Sequence, residues 1–198
     1  DALLTGLLEP SNEPYAIAKI AGIKLCESFN RQYDTDYRSL MPTNLYGIND
    51  SFNSDISHVI PALISRMHDA KINGKSEIKV WGTGNAMREF MYVDDLAEAV
   101  IFVLKFDKDN YQEKVNPMLS HLNVGTGVDV KISALASLIK KVVDYKGKII
   151  FDSTKPDGSP RKLIDASKLT NMGWKCKVSL EDGLLETYQW YLNNLERN

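Results

Sequence analysis

The stretch Glu13-Pro14-Tyr15-Ala16-Ile17-Ala18-Lys19 sets a tyrosine and a lysine one helical turn apart. Residues four apart share a helix face. Pro14 suits a first helical turn, and Ser11 and Asn12 are candidate caps, so the spacing predicts a helix over 14–32. A free phenol titrates near pH ~10 and exchanges protons poorly at neutrality. An ammonium beside it favours the phenolate. A phenol so placed can trade a proton with an alcohol or carbonyl, the step that accompanies hydride transfer. The bare Tyr-x-x-x-Lys spacing equally describes a surface helix with one aromatic and one solvated lysine. The neighbours set this one apart, since Ala16, Ala18, Ala21 and Gly22 leave room for a partner helix or a cofactor.

Beyond that helix, short apolar runs alternate with helical patterns, which predicts an α/β fold. Residues 37–41 read as a strand and 42–47 as the loop at its carboxyl end, where ligands sit in open α/β sheets. Residues 48–57 read as a polar loop and 58–70 as a helix capped by Ser57. Strands over 78–81 and 89–93 flank the turn Gly82-Thr83-Gly84. Ala97, Val100, Ile101 and Leu104 fall at helical spacing, which predicts a helix over 94–104. Residues 106–119 read as a charged loop, 122–124 and 149–151 as strands, and 132–143 as a helix. Lys155-Pro156-Asp157-Gly158-Ser159-Pro160-Arg161 is rich in turn formers, and Ser179-x-x-Asp182 opens a last helix to about residue 192. Trp174 and Trp190 read as packing under that helix, and Asp94-Asp95 as a helix cap rather than a metal site.

Composition narrows the class. The 198 residues are 43% hydrophobic and 25% charged, enough for a real core. A formal net charge of −2 implies no broad attraction to nucleic acid or membrane. No run approaches the ~18 apolar residues of a membrane span, and no basic, apolar leader opens the chain. Cys26 and Cys176 lack CxxC spacing and give neither a disulfide framework nor a zinc site, so a reducing cytoplasm is expected. The sequon Asn49-Asp50-Ser51 reads as chance. A nicotinamide enzyme needs a Gly-rich strand–turn–helix for the pyrophosphate. Gly82-Thr83-Gly84 and Gly125-Thr126-Gly127 lack the third glycine and the following helix, and both read as turns. With that loop absent, the expectation is the C-terminal part of a longer enzyme.

Several motifs in order carry a resemblance. They are Tyr15-Ala16-Ile17-Ala18-Lys19, Met41-Pro42-Thr43-Asn44-Leu45-Tyr46-Gly47, Ser57-His58-Val59-Ile60-Pro61-Ala62-Leu63, Val80-Trp81-Gly82-Thr83-Gly84 and Met87-Arg88-Glu89-Phe90. Asn123-Val124-Gly125-Thr126-Gly127 and Lys155-Pro156-Asp157-Gly158 follow. Together they resemble the extended short-chain dehydrogenase/reductase family, in its branch acting on GDP-4-keto-6-deoxy sugars. The resemblance implies the C-terminal part of a Rossmann-type parallel sheet plus a smaller α/β substrate-binding domain. Residues 1–47 would be the remainder of the NADP-binding domain, and 48–198 mainly the substrate domain, with 94–124 returning to the Rossmann sheet.

The resemblance also implies roles. Tyr15 would be the acid for reduction at C4, and Lys19 would support it and bind the nicotinamide ribose of NADP(H). Pro42, Thr43, Asn44 and Leu45 would meet the nicotinamide end; the same residues also make an ordinary strand-end turn. His58 would be the acid/base of epimerisation and lie against the cofactor, where an imidazole titrating near neutrality suits the task. A lone histidine near a helix start is otherwise structural, as His68 and His121 are expected to be. Arg66, Trp81, Arg88 and Asp157, with Lys155 behind them, would hold the GDP-sugar. Their plain alternatives are a solvated helix arginine, a core edge and a cross-strand ion pair. A homodimer through the Tyr15 helix is implied. The leading expectation is epimerisation plus reduction. A pure 4-reductase on a related GDP-4-keto sugar such as a heptose, or a non-catalytic fragment, would keep the same motifs. The Ser57–Leu63 run argues against other sugar-nucleotide epimerases and dehydratases.

Overall fold

The computed structural model describes residues 3–53 and 57–195, with the side chain of Ser11 outside that set. The chain start at Asp1-Ala2, the middle of the 48–57 segment and the Ser11 cap fall beyond it. Helix α1 (Glu13–Tyr33) leads into β1 (Leu40–Pro42), β2 (Asn44–Tyr46), α2 (Val59–Ile72), β3 (Glu77–Trp81), β4 (Met87–Tyr92) and α3 (Val93–Lys105). Then come α4 (Lys108–Lys114), β5 (Leu122–Val124), β6 (Asp129–Lys131), α5 (Ile132–Val143) and β7 (Lys148–Asp152). Strand β8 (Arg161–Lys162) and helices α6 (Ser167–Asn171) and α7 (Leu180–Asn193) complete the α/β fold.

Parallel pairing dominates: β1 with β5, β2 with β4, and β3 with β7. β6 joins β4 antiparallel, and β8 joins it parallel. β4 is the wall between two cores. Successive strand residues point to opposite faces, so Phe90 and Tyr92 enter the cluster built by α2, α5 and α7. Met91 enters the other, with Ala99 and Val103 of α3, Leu122 and Val124 of β5, and Trp174. Trp174 therefore packs away from the last helix, contrary to its sequence reading, while Trp190 packs with the first cluster.

Other local expectations are corrected. Residues 42–47 are not a plain loop. Within two residues the chain leaves β5 and joins β4: Pro42 stands opposite Val124, and Asn44 opposite Phe90. Residues 106–119 include α4, because the Asp107 side chain caps it by accepting the Asn110 amide at 3.0 Å. Ser57 does not cap α2; His58 holds that position. Asp94 and Asp95 do lie in the first turn of α3, where negative charge suits the dipole, but Asp95 makes no capping bond. It is 2% exposed and accepts the Cys176 thiol at 2.7 Å and the amides of Lys177 and Val178, each at 3.0 Å. Burial and the Asp95 carboxylate push that thiol up to about 12. Ser179 does cap α7, accepting the Asp182 amide at 3.1 Å. Among the described residues no helix is long and apolar enough to cross a membrane.

Two buried histidines make the fold acid-sensitive. His68 sits with its Nδ1 3.0 Å from the Tyr188 hydroxyl and its ring edge-on to Tyr191. His121 is 7% exposed. Burial holds both imidazoles below their ordinary 6.5, and Lys71 adds to the effect at His68, against Asp69. The unfolded chain thus takes protons at a higher pH than the native one. Their contribution is fully present above the unfolded value and is lost as pH falls through the lower native values. Calorimetry should show Tm level above about pH 7 and falling below about 6.5. A Tm unchanged down to about pH 5 contradicts this.

Candidate active site

Helix α1 delivers Tyr15 and Lys19 to the mouth of a cleft of about 990 Å³. The Lys19 ammonium lies 5.4 Å from the centre of the Tyr15 ring. Both are exposed to the cleft, the tyrosine at 60%. The floor is the 42–47 crossover, with Pro42, Thr43, Asn44 and Leu45 along it. His58, at the start of α2, also lines the cleft. Its carbonyl accepts the Ala62 amide at 3.0 Å, while its side chain makes no cap bond. Tyr15, Lys19, the 42–45 run and His58 therefore share one cleft.

The crossover is held rigidly. The Thr43 amide donates to Val124 O at 3.0 Å, and its hydroxyl to Glu89 O at 3.3 Å. Asn44 Nδ2 donates to the same Glu89 carbonyl at 2.7 Å. The cleft is lined by apolar Ile20, Ile23, Pro42 and Leu45, and by polar Asn12, Tyr15, Lys19, Thr43, Asn44, Asn49, Asp50 and His58. A cleft with apolar walls, an ammonium, a phenol and further polar groups fits a nicotinamide ring and its ribose. No such fit exists for a pyrophosphate in the two Gly-Thr-Gly turns, because each wraps a carboxylate of the chain itself. Asp157 accepts the Thr83 amide at 2.7 Å and the Thr83 hydroxyl at 2.6 Å. Glu89 accepts the Thr126 amide at 2.6 Å and the Gly127 amide at 2.8 Å. A Cβ on Gly82 would strike the Asp157 carboxylate, and one on Gly125 that of Glu89. These glycines make room for an internal anion.

The remaining predicted residues gather elsewhere, around the end of β3. Trp81 is 69% exposed, with the Lys155 ammonium 5.6 Å from its ring centre. Arg88 forms no cross-strand pair among the bonds described; its guanidinium donates to Met87 O at 2.7 Å and Asp157 O at 3.3 Å. The Thr83 hydroxyl and amide, then Gly84 and Arg88, hold the Asp157 carboxyl below the usual range. Arg66 donates to Ala62 O and to Lys79 O on β3, each at 3.2 Å. Arg66, Trp81, Arg88 and Asp157 do not line the Tyr15 cleft. Glu89 lies within the Met87-Arg88-Glu89-Phe90 motif, which implies no role for it. Its signal is a carboxylate that opens the apolar run Phe90-Met91-Tyr92 of a buried strand.

Parallel strands alternating with helices, and a Tyr–Lys pair at the strand ends, have the layout of an α/β nicotinamide-cofactor oxidoreductase. The chain belongs to the NAD dependent epimerase/dehydratase family, whose model matches residues 1–125. It is 58% identical over 195 residues to the GDP-L-fucose synthase of Escherichia coli (strain K12), covering 98% of this chain and 61% of that protein. The GDP-L-fucose synthase 1 of Arabidopsis thaliana is 56% identical over 194 residues, covering 98% and 57%. Among solved structures, a GDP-D-glycero-L-gluco-heptose synthase from Campylobacter jejuni, crystallised in the presence of NADPH, superimposes with a TM-score of 0.88. It is 33% identical, covering 96% of this chain and 63% of that one. The chain thus spans about six-tenths of the length of the curated relatives it matches.

Proposed function

We propose that the full-length protein is an NADPH-dependent epimerase and reductase that converts GDP-4-keto-6-deoxy-D-mannose to GDP-L-fucose. The observation that carries this is the convergence of Tyr15, Lys19, the 42–45 crossover and His58 on one cleft. The high identity to GDP-L-fucose synthases supports the substrate. Bound NADPH would supply the hydride to C4. Tyr15 gives the C4 oxygen its proton, and Lys19 steadies the phenolate left behind and holds the nicotinamide ribose. Residues 42–45 bear on the nicotinamide. His58 moves protons at the carbons beside the ketone, where an imidazole works at neutral pH. Arg66, Trp81, Arg88 and Asp157 take the sugar nucleotide; a guanidinium forks onto phosphate oxygens, and an indole offers a flat face.

Pairing of β1 with β5 supports the grouping of 1–47 and 94–124 in one cofactor-binding sheet, with the rest mainly a substrate domain. The free thiols Cys26 and Cys176 suit the cytoplasm. A second reading, a 4-reductase on a related GDP-4-keto sugar such as a heptose, draws on the Campylobacter neighbour. Supplying the full-length protein with GDP-4-keto-6-deoxy-D-mannose and NADPH separates the two. The expected product is GDP-L-fucose. A reduced sugar with no inverted centre sinks the epimerase assignment.

A homodimer through α1 completes the proposal. Leu25, Phe29 and Tyr33 lie along that helix at 59%, 39% and 60% exposure. An apolar stripe of this kind supports an interface there, and two-fold dimers are the commonest oligomers. Light scattering on the full-length protein should give a dimer. A strict monomer at high concentration counts against it.

A further inference from the structure

Glu89 stands in the middle of β4 with 0% exposure. Its Oε1 accepts the Thr126 amide at 2.6 Å, the Gly127 amide at 2.8 Å and the Thr126 hydroxyl at 3.2 Å. Its Oε2 accepts the Ile164 amide at 3.1 Å. Its main-chain carbonyl accepts Asn44 Nδ2 and the Thr43 hydroxyl. Thr43 is thus tied to two carbonyls, those of Glu89 and Val124. The Glu89 carboxylate pins the turn that starts directly after Val124. One residue therefore supplies the first anchor of the crossover and fixes the second.

We infer that Glu89 is a positioning residue for the cofactor: it sets the gap between β4 and β5 into which Thr43 and Asn44 fit. This rests on the reductase reading above, in which the crossover meets the nicotinamide. A carboxylate is needed because every partner is a donor. Ionised, it offers two oxygens and no hydrogen. A glutamine carries one NH₂, which must face either the Ile164 amide or the Thr126–Gly127 pair. Either way a buried donor loses its acceptor. The 125–127 turn then loosens, the Val124 carbonyl loosens with it, and Thr43 loses its register.

A matched control exists in Asp95. It too is a buried carboxylate serving a loop, and its partners Cys176, Lys177 and Val178 do not line the cleft. Full-length wild type, Glu89→Gln and Asp95→Asn should be compared for Tm, NADPH affinity and amide exchange at Thr43. Both variants should lower Tm. Only Glu89→Gln should weaken NADPH binding, by about tenfold, and speed exchange at Thr43. A Glu89→Gln protein that loses Tm but matches Asp95→Asn in both other readouts overturns the inference. If Glu89→Gln does not fold, Thr126→Val removes the hydroxyl, with its bonds to Glu89 and to the Val128 amide and carbonyl, and keeps the Thr126 and Gly127 amides on the carboxylate. It should weaken binding about threefold, and unchanged affinity and exchange there also overturn the inference. A wild type that binds no NADPH defeats the reductase reading, and Thr43 exchange then still decides whether Glu89 holds the crossover.

Discussion

Replacing Tyr15 with phenylalanine in the full-length protein is expected to slow NADPH oxidation by on the order of 10² to 10⁴. The ring stays and the proton donor goes. In the proposed reaction, hydride delivery to C4 leaves an alkoxide that must be protonated, and without the phenol water would have to do this. Tyr15 is exposed at the cleft mouth, so the change removes little packing and Tm should hold. NADPH affinity should also hold, because the Lys19 ammonium and the 42–45 crossover remain in place. A drop in rate with normal cofactor binding identifies the phenol as the acid. Unchanged turnover removes Tyr15 from the mechanism.

His58→Gln should separate the two halves of the reaction. Inversion at a carbon beside a ketone needs one proton removed and another returned to the opposite face. An imidazole can do either near neutral pH, whereas an amide can do neither. Epimerisation should fall by on the order of 10² to 10⁴, while hydride transfer to whatever 4-keto sugar is present continues. The variant should release a reduced but incompletely epimerised sugar. His58 caps α2 through its backbone alone, so glutamine keeps the helix start intact. If the histidine were only structural, both steps would fall together and Tm with them.

The site was legible where chemistry and short-range spacing coincide. Tyr15 and Lys19 meet because one helical turn brings any such pair together, and the structure sets them at 5.4 Å. His58 and the 42–45 run were readable only through motif resemblance. Spacing alone cannot say that a residue in a strand crossover and one at a helix start, more than ten positions apart, will share a cleft. The helices of 93–105, 132–143 and 180–193 agree with the sequence within two residues, the first through its apolar periodicity and the last through its Ser179 cap. What stayed hidden is long-range. Glu89 binds groups of residues 126, 127 and 164, and Asp95 those of 176–178. No local pattern reports a buried carboxylate's partners. The missing third glycine marks the two Gly-Thr-Gly segments as turns, but the carboxylate inside each is visible only in three dimensions. Helix α4 was missed because its one strong signal, the Asp107 cap, sits in a run dense with charge.

The most direct test of the bifunctional assignment is the mass spectrum of product made by the wild-type, full-length protein in heavy water. In the proposed reaction the hydride at C4 comes from NADPH, and the proton Tyr15 would add ends on an exchangeable hydroxyl. Deuterium fixed to carbon therefore reports epimerisation alone. A bifunctional enzyme gives GDP-L-fucose carrying deuterium at C3 and C5. Full reduction with no deuterium on carbon contradicts it and leaves a pure 4-reductase.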